Sequence, residues 1–284
     1  MVSSKPDLSR LVAAALAEDL GEREIDVTTH AVVGADLMGE AIVVARKPGV
    51  LSGSDAAARV FDMIRPRCDY VALVPDGTRL EAGDEVAKLS GPLSAILIGE
   101  RTALNFLQRM SGIATLTRSY ADALVSYPEV TLLDTRKTTP GLRFLERAAV
   151  RAGGGHNHRD GLWDAILIKD NHVAAAGGVT EAVKRARKVA MPVEVEVDTL
   201  EQLAEALETG AEVILLDNMP VEVMRQAVEI NAGRAKLEAS GGMTLEGAVA
   251  AARAGVDRIS VGALTHSAPA LDLSLEVTRT WRQK

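Results

Sequence analysis

Hydrophobic and polar positions follow two different rhythms along this chain. From residue 24 to about 100 the apolar positions fall in short β-rich runs broken by turn pairs. GEAIVVARKPGVLSG (39–53) closes on Pro48-Gly49 and Gly53, and YVALVPDGTRLEAGDEVAKLSG (70–91) holds Asp76-Gly77 and Gly83-Asp84. This grammar predicts a small sheet-rich sandwich. Ahead of it, the apolar run Leu11–Ala17 stops at Glu18 and Asp19. It predicts an amphipathic surface helix, since a membrane span needs ~20 apolar residues and a signal peptide needs a cleavage site there. Over 99–126, Ala103, Leu107, Met110, Ala114 and Thr117 recur at three- and four-residue steps, which predicts a helix that Ser111-Gly112 bends or interrupts.

From about residue 130 strand and helix alternate. The strand candidates are Val130–Leu133, Ala165–Ile168, Val193–Val197, Val213–Leu216, Lys236–Ala239 and Arg258–Val261. Thr199-x-x-Gln202 reads as a capping box and Gly210 as a helix stop, with Pro220 placed for a helix start and Gly255 for a stop. Repeated βα units imply a parallel sheet with right-handed crossovers. A full eight-stranded barrel takes ~250 residues, so this shorter stretch predicts a shortened or open α/β barrel of about six strands. The expected organisation is an α/β protein: an N-terminal α+β, barrel-sandwich-like domain over 1–108, a barrel over 109–270, and a C-terminal helix over 271–284 packing back on the first domain.

In such barrels chemistry gathers at the C-terminal ends of the strands. Those ends read Asp134-Thr135-Arg136-Lys137, Lys169-Asp170-Asn171-His172, Glu194 with Glu196, Asp217-Asn218, Glu238 with Ser240-Gly241-Gly242, and Ser260-Val261-Gly262-Ala263. A single polar strand end is ordinary; cations and carboxylates recurring in successive units are not. In VEVEVD, period two sends Glu194 and Glu196 to one face and Val193, Val195 and Val197 to the other. Valines against the helices leave the glutamates inside the barrel, where they need cationic partners such as Arg136, Lys137 or Lys169. SGGMT (240–244) follows a strand and opens a helix, the setting in which backbone N–H groups approach an anion, and VGA (261–263) can add more. In AGGGHNHRDGLWD (152–164), His156-x-His158 has the spacing of a metal pair, but no convincing third ligand accompanies it; a flexible loop clamping an anion with His158 and Arg159 is the better reading.

Composition narrows the choice. The chain has 284 residues, 47% apolar and 25% charged, a globular balance. A net charge of −7 and 3% aromatics argue against a nucleic-acid partner, yet a local basic pocket can still take a small anion. The one cysteine, Cys68, makes no disulfide framework and fits a reducing, cytoplasmic setting. Several cations, two deeper acids and Gly-rich turns around one mouth suit a ligand with several carboxylates or phosphates.

Eight stretches carry a closer likeness: ERTALNFLQRMSGIAT (100–115), DTRKTTPGLR (134–143), GGGHNHRDGL (153–162), LIKDNH (167–172), VEVEVDTLEQL (193–203), LLDNM (215–219), EASGGMT (238–244) and DRISVGALTHSAPALDLSL (257–275). In these the chain resembles the quinolinate phosphoribosyltransferases. The resemblance implies an enzyme of NAD biosynthesis that joins quinolinate to phosphoribosyl pyrophosphate (PRPP) with Mg²⁺, releasing nicotinate mononucleotide, pyrophosphate and CO₂. It implies that Arg101, Thr135, Arg136, His158, Arg159 and Lys169 hold quinolinate, with Lys137 between the two substrates. Glu196 and Asp217 would face the ribose and the metal, and Ser240, Gly241, Gly242, Val261, Gly262 and Ala263 the 5′-phosphate. Lys137, Glu196 and Asp217 would be catalytic. It further implies a homodimer in which Arg101 reaches the neighbouring site. A pyrophosphorylase-like relative from molybdenum-transport operons shares much of the pattern. DGTRLEAGDEVAKLSG separately resembles carriers of lipoyl or biotinyl groups, but Lys88 falls within the expected strand rather than at a hairpin tip.

Overall fold

The structure is a computed structural model that describes residues 7–283. The chain forms two compact units: one holds the residues up to Leu116 with Pro140–Gly153 and those from Ala268 onward, the other Thr117–Thr139 and Gly154–Ser267.

In chain order come helices α1 (Leu8–Leu20) and α2 (Val27–Val32), strands β1 (Leu37–Ala45) and β2 (Gly49–Val50), and helix α3 (Ser54–Met63). Strands β3 (Asp69–Ala72), β4 (Arg79–Leu80) and β5 (Glu85–Pro92) lead into the long helix α4 (Leu93–Ala123). The Asp7 carboxylate caps α1 by accepting from Ser9 N–H, and Val12 and Leu16 form its buried stripe. Gly77 and Gly83 turn the chain at φ +92° and +99°, where a side chain would be strained. Val43, Val86, Leu89, Ile96 and Leu107 bury the first unit's core, and Phe61 stacks on Tyr70 with centroids 5.8 Å apart. Lys88 sits inside β5 beside Glu85, away from any hairpin tip.

Two expectations are corrected in this unit. Ser111-Gly112 does not interrupt α4, which runs unbroken for 31 residues. The pair serves packing: Ser111 Oγ accepts from Ser52 N–H at 2.9 Å, and a Cβ at Gly112 would collide with the Pro269 carbonyl. The expected C-terminal helix is a strand. Leu273–Arg282 pairs antiparallel with β1, from Leu37↔Arg282 to Ala45↔Leu273. Alternating Leu273, Leu275 and Val277 followed by Thr278 and Thr280 favour the extended form, and β1 offers an open edge to pair with. Lys284 lies outside the described residues.

The second unit takes in β6 (Thr131–Leu133), β7 (Ile166–Ile168), helices α6 (Asp170–Ala176) and α7 (Val179–Ala186), β8 (Val193–Val197), α8 (Leu200–Glu208) and β9 (Val213–Asp217). Helix α9 (Val221–Asn231), β10 (Lys236–Ser240), α10 (Leu245–Ala254), β11 (Arg258–Ser260) and α11 (Ala263–His266) follow, while α5 (Arg143–Ala152) belongs to the first unit and β12 (Leu273–Arg282) to its sheet. The order of the four-stranded sheet is β12-β1-β5-β3, and that of the six-stranded sheet β6-β11-β10-β9-β8-β7, all parallel. β6 and β7 are its two edges, so the unit is an open α/β barrel, as the strand rhythm predicts. Val195, Val197, Ile214, Leu216, Leu237 and Ile259 are buried with Leu203, Ala206, Met224, Ala227, Ala248 and Ala251 of the covering helices. Thr199 caps α8 by accepting from Gln202 N–H, while the Gln202 side chain accepts from Asp198 N–H at 2.7 Å. Among the described residues no helix is long and apolar enough to cross a membrane.

Candidate active site

The strands of the open barrel alternate strictly, and this alternation builds the site. Val195 and Val197 on β8, Ile214 and Leu216 on β9, and Leu237 and Ala239 on β10 are buried. The intervening positions are Glu194 and Glu196, Leu215 and Asp217, Glu238 and Ser240. Parallel register sets Ser240 opposite Asp217, and Glu196 and Glu238 both opposite Leu215. Acidic and hydroxyl groups therefore collect on one face near the C-terminal ends.

At the end of β6, Asp134 is fully buried. Its Oδ2 accepts from Asn157 Nδ2 at 2.6 Å and its Oδ1 from His158 N–H at 2.7 Å. Asp134 N–H donates to the His156 carbonyl and His156 N–H to the Leu132 carbonyl, so the glycine-rich loop lies along the free edge of β6. His156 supplies backbone here, and its side chain is exposed. Asp134 is thus the fastener of the loop that carries His158 and Arg159. Arg159 Nη1 donates to the Ala165 carbonyl at 3.1 Å. Burial, then the nearby Arg136 charge, holds the Arg159 guanidinium below its ordinary pKa, which places two cations close together. The Arg136 Nε is buried without a hydrogen-bond partner.

His158 is the least expected part of the site. Its Nε2 lies 3.1 Å from Glu194 Oε2 and 3.4 Å from Glu238 Oε1, and Arg159 N–H points at its Nδ1 with N···N 2.7 Å. The Glu238 contact is longer and less well aligned than that of Glu194. Burial pushes the imidazole toward neutrality, but the hydrogen-bonding and charge of Glu194 and Glu238 reverse this and lift it to about 10. At an effective dielectric of about 20, each carboxylate at this range attracts the imidazolium by roughly 5 kcal/mol. The Arg159 N–H opposes protonation with about 1 kcal/mol, the worth of one hydrogen bond. The charged ring prevails. His158, Glu194 and Glu238 are also the one group of metal-ligating type among the described residues. Their ligand atoms lie within 4.8 Å of one another, and with the ring protonated the cluster is an ion triad.

Lys169, at the end of β7, forms an ion pair with Glu196, whose side chain is nearly buried. The two glutamates of VEVEVD thus do find cations: Glu196 pairs with Lys169, and Glu194 with His158, with the Arg159 charge also near it. Lys137 is exposed, its N–H bonded to Thr135 Oγ1 and its carbonyl to the Thr265 hydroxyl at 2.8 Å. Its stem passes Gly262, where a Cβ would come within 3.1 Å of Lys137 Cδ and of His266 Nε2. Asp217 accepts from Asn218 Nδ2 at 2.7 Å, and Asn218 N–H donates to the Ser240 carbonyl at 3.0 Å. Gly241 has φ +95°, and a Cβ there would strike the Asn218 amide oxygen and lie 2.8 Å from its backbone nitrogen. Thr244 then caps α10 by accepting from Gly247 N–H. Val261 is buried and Gly262 precedes α11.

Most of the expected residues therefore share one set of strand ends in the second unit. Arg101 is exposed on α4 and belongs to the first unit. Three residues given no role from sequence alone are structurally part of the site: Glu238, whose signal was the alternation in KLEAS, Thr265 and His266.

Two family models match: the N-terminal domain of quinolinate phosphoribosyl transferase over residues 26–111 and its C-terminal domain over 113–276. The chain is 46% identical over 273 residues to the Mycobacterium leprae nicotinate-nucleotide pyrophosphorylase [carboxylating], covering 94% of this chain and 95% of that one. It is 44% identical over 274 residues to the probable enzyme of the same name from Bacillus subtilis, covering 95% and 93%. The solved nicotinate-nucleotide pyrophosphorylase from Francisella tularensis superposes with a TM-score of 0.90 at 41% identity, over 95% of this chain and 96% of that one. With both domain models matched in order and identity above two fifths along nearly the whole length, the chain belongs to the quinolinate phosphoribosyl transferase family.

Proposed function

We propose that this protein is a quinolinate phosphoribosyltransferase of NAD biosynthesis, a pentosyltransferase converting quinolinate and PRPP to nicotinate mononucleotide, pyrophosphate and CO₂. One observation carries the reading: a basic cluster (Arg136, His158, Arg159, Lys169) and an acidic pair (Glu196, Asp217) stand at the strand ends of one open barrel, beside the Gly241 turn.

Arg136 and Arg159 supply guanidinium forks, and His158 and Lys169 supply charged N–H groups, for the two quinolinate carboxylates. Thr135 adds a hydroxyl. Burial first, and then the Arg136 charge, disfavour the charged Arg159 guanidinium, and an entering dianion offsets both. Lys137 stands between the carboxylate side and the Gly262 turn, placed for PRPP. The turns Ser240–Gly242 and Val261–Ala263 surround the 5′-phosphate; the Val261 N–H is taken by the Leu133 carbonyl, so backbone donors on that side come from Gly262 and Ala263, and Gly241 lets the first turn pack against Asn218.

Breaking the bond between ribose and pyrophosphate builds positive charge on the ribose ring, which carboxylates at Glu196 and Asp217 stabilise. The hard oxygens of the same two residues suit Mg²⁺, which prefers carboxylates together with substrate phosphates. Bound there, the ion would neutralise the departing pyrophosphate. Attack by the pyridine nitrogen makes the ring cationic. That cation takes up the electron pair left on the ring carbon when the adjacent carboxylate leaves as CO₂, and a proton then replaces it. The chain's contribution to this step is to hold the second carboxylate and release the first.

The active unit is a homodimer, with Arg101 of each chain serving the neighbouring site; the lone Cys68 supports a reducing, cytoplasmic home. Turnover of quinolinate against nicotinate tests the reading. With PRPP and Mg²⁺ the purified protein should consume quinolinate and leave nicotinate untouched, and a chelator should stop it. Equal use of nicotinate would remove the role assigned to the cation cluster.

A further inference from the structure

Thr117, Tyr120 and Leu124, at three- and four-residue steps, form the buried stripe at and just past the C-terminal end of α4. Tyr120 brings a hydroxyl into that stripe, and the hydroxyl donates to the Met243 carbonyl at 3.2 Å. Burial, and then the nearby Glu246 charge, raise the phenol above its ordinary pKa, so the group stays a neutral O–H donor. Both residues belong to the second unit. Met243 directly follows Gly241-Gly242 and precedes Thr244, the N-cap of the ten-residue helix α10.

A turn built on two successive glycines at positive φ has little stiffness of its own. Its shape depends on what holds its two ends. At the first end the Asn218 N–H donates to the Ser240 carbonyl at 3.0 Å. At the last end the Tyr120 hydroxyl holds the Met243 carbonyl. In a trans peptide the C=O and the following N–H point in opposite directions. Pinning these two carbonyls therefore turns the Gly241 N–H away from Asn218 and the Thr244 N–H away from Tyr120. Thr244 opens α10, where unpaired backbone N–H groups and the positive end of the helix dipole favour an anion. Tyr120 is thus the side-chain tie at the point where the glycine turn becomes a helix.

We propose that Tyr120 is a positioning residue for PRPP: by holding the Met243 carbonyl it sets the direction of the backbone N–H groups at the helix end of the SGG turn, which receive the 5′-phosphate. This rests on the functional reading given above. The tie works in both directions, because a bond that favours the phosphate-binding shape of the turn is itself favoured when phosphate binds.

Inorganic phosphate, titrated into the full-length protein and followed by amide NMR, tests this without turnover. In the wild type the Gly241, Gly242 and Thr244 amide signals should shift together on one binding curve. Tyr120→Phe removes only the hydroxyl and should weaken that curve about threefold to tenfold, the worth of one hydrogen bond. The KM for PRPP should rise by the same factor, while the KM for quinolinate agrees within about twofold with the wild type. A merely structural tyrosine would move both constants together, and that result contradicts the proposal. So does an unchanged phosphate curve, or a wild type in which phosphate leaves the three amides unmoved. Should Tyr120→Phe fail to fold, the wild type still decides: its Tyr120 hydroxyl proton should exchange with solvent more slowly once phosphate is bound, and unchanged exchange overturns the proposal. If the wild type turns over no quinolinate, the functional reading falls, and the phosphate titration still decides whether Tyr120 shapes the turn.

Discussion

Replacing Gly241 with alanine, and comparing it with the same change at Gly242, isolates what the SGG turn requires. The two glycines are neighbours, both at positive φ, +95° and +51°. At Gly242 nothing lies within 4 Å of an added Cβ, and φ falls in the left-handed region that L-residues enter at about 1 kcal/mol. At Gly241, with φ further from the left-handed well, the backbone penalty is at least as large, and the Cβ also lies 2.8 Å from Asn218 N, with the Asn218 side-chain amide closer still. Asn218 cannot easily retreat, because its N–H bonds to the Ser240 carbonyl at 3.0 Å and its amide to Asp217. Overpacking of this kind adds about 1–3 kcal/mol, for a total of roughly 2–4 kcal/mol. At roughly 2–4 °C per kcal/mol, Gly241→Ala should melt about 5–15 °C below wild type and Gly242→Ala only about 2–4 °C below. Differential scanning calorimetry reads both. Because the displaced Asn218 drags Asp217, Gly241→Ala should also raise the KM for PRPP more than that for quinolinate. Variants that melt together would refute the packing argument.

Arg136→Ala should weaken quinolinate binding far more than PRPP binding, by about tenfold to a hundredfold for a lost charge-assisted fork, and equal losses for both ligands in titration calorimetry would contradict the assignment. Asp134→Ala leaves His158 N–H and the Asn157 amide without their acceptor, at about 1–3 kcal/mol each, and frees the loop. It should lower the denaturation midpoint and raise the quinolinate KM together; a change in stability alone would limit Asp134 to a structural role. His158 is raised in the folded state to about 10 from an ordinary 6.5. Its stabilisation is fully present below about pH 6.5 and disappears as pH rises through about 10, with a slope of at most about 1.4 kcal/mol per pH unit between. Denaturant melts of wild type and His158→Asn across pH 6.5–10 should show that slope in the wild type and lose it in the variant.

The parallel half of the fold was legible because its strands are wholly apolar on one face. Val193–Val197 is observed with those bounds, and the other five strands shift by a residue or so at either end. Alternation in VEVEVD also placed both glutamates on one side before any coordinates. What escaped the sequence has physical causes. Strand β12 has few apolar positions and half of its residues stay exposed, so its alternation is weak by itself and needs the open edge of β1 to pair with. Gly112 reads locally as a helix breaker, and only the Pro269 backbone, more than a hundred residues away, explains why α4 tolerates it. KLEAS carries the same alternation as VEVEVD, but one glutamate in a short run gives no reason to expect a partner. That partner, His158, is eighty residues earlier on a loop whose position depends on Asp134.

The most direct test of the central claim is the stoichiometry of a single reaction. Quinolinate labelled with ¹³C in the 2-carboxylate, incubated with PRPP, Mg²⁺ and the purified protein, should yield labelled CO₂, pyrophosphate and unlabelled nicotinate mononucleotide in equal amounts. A mononucleotide that keeps the label, or no pyrophosphate release with quinolinate present, would contradict the account.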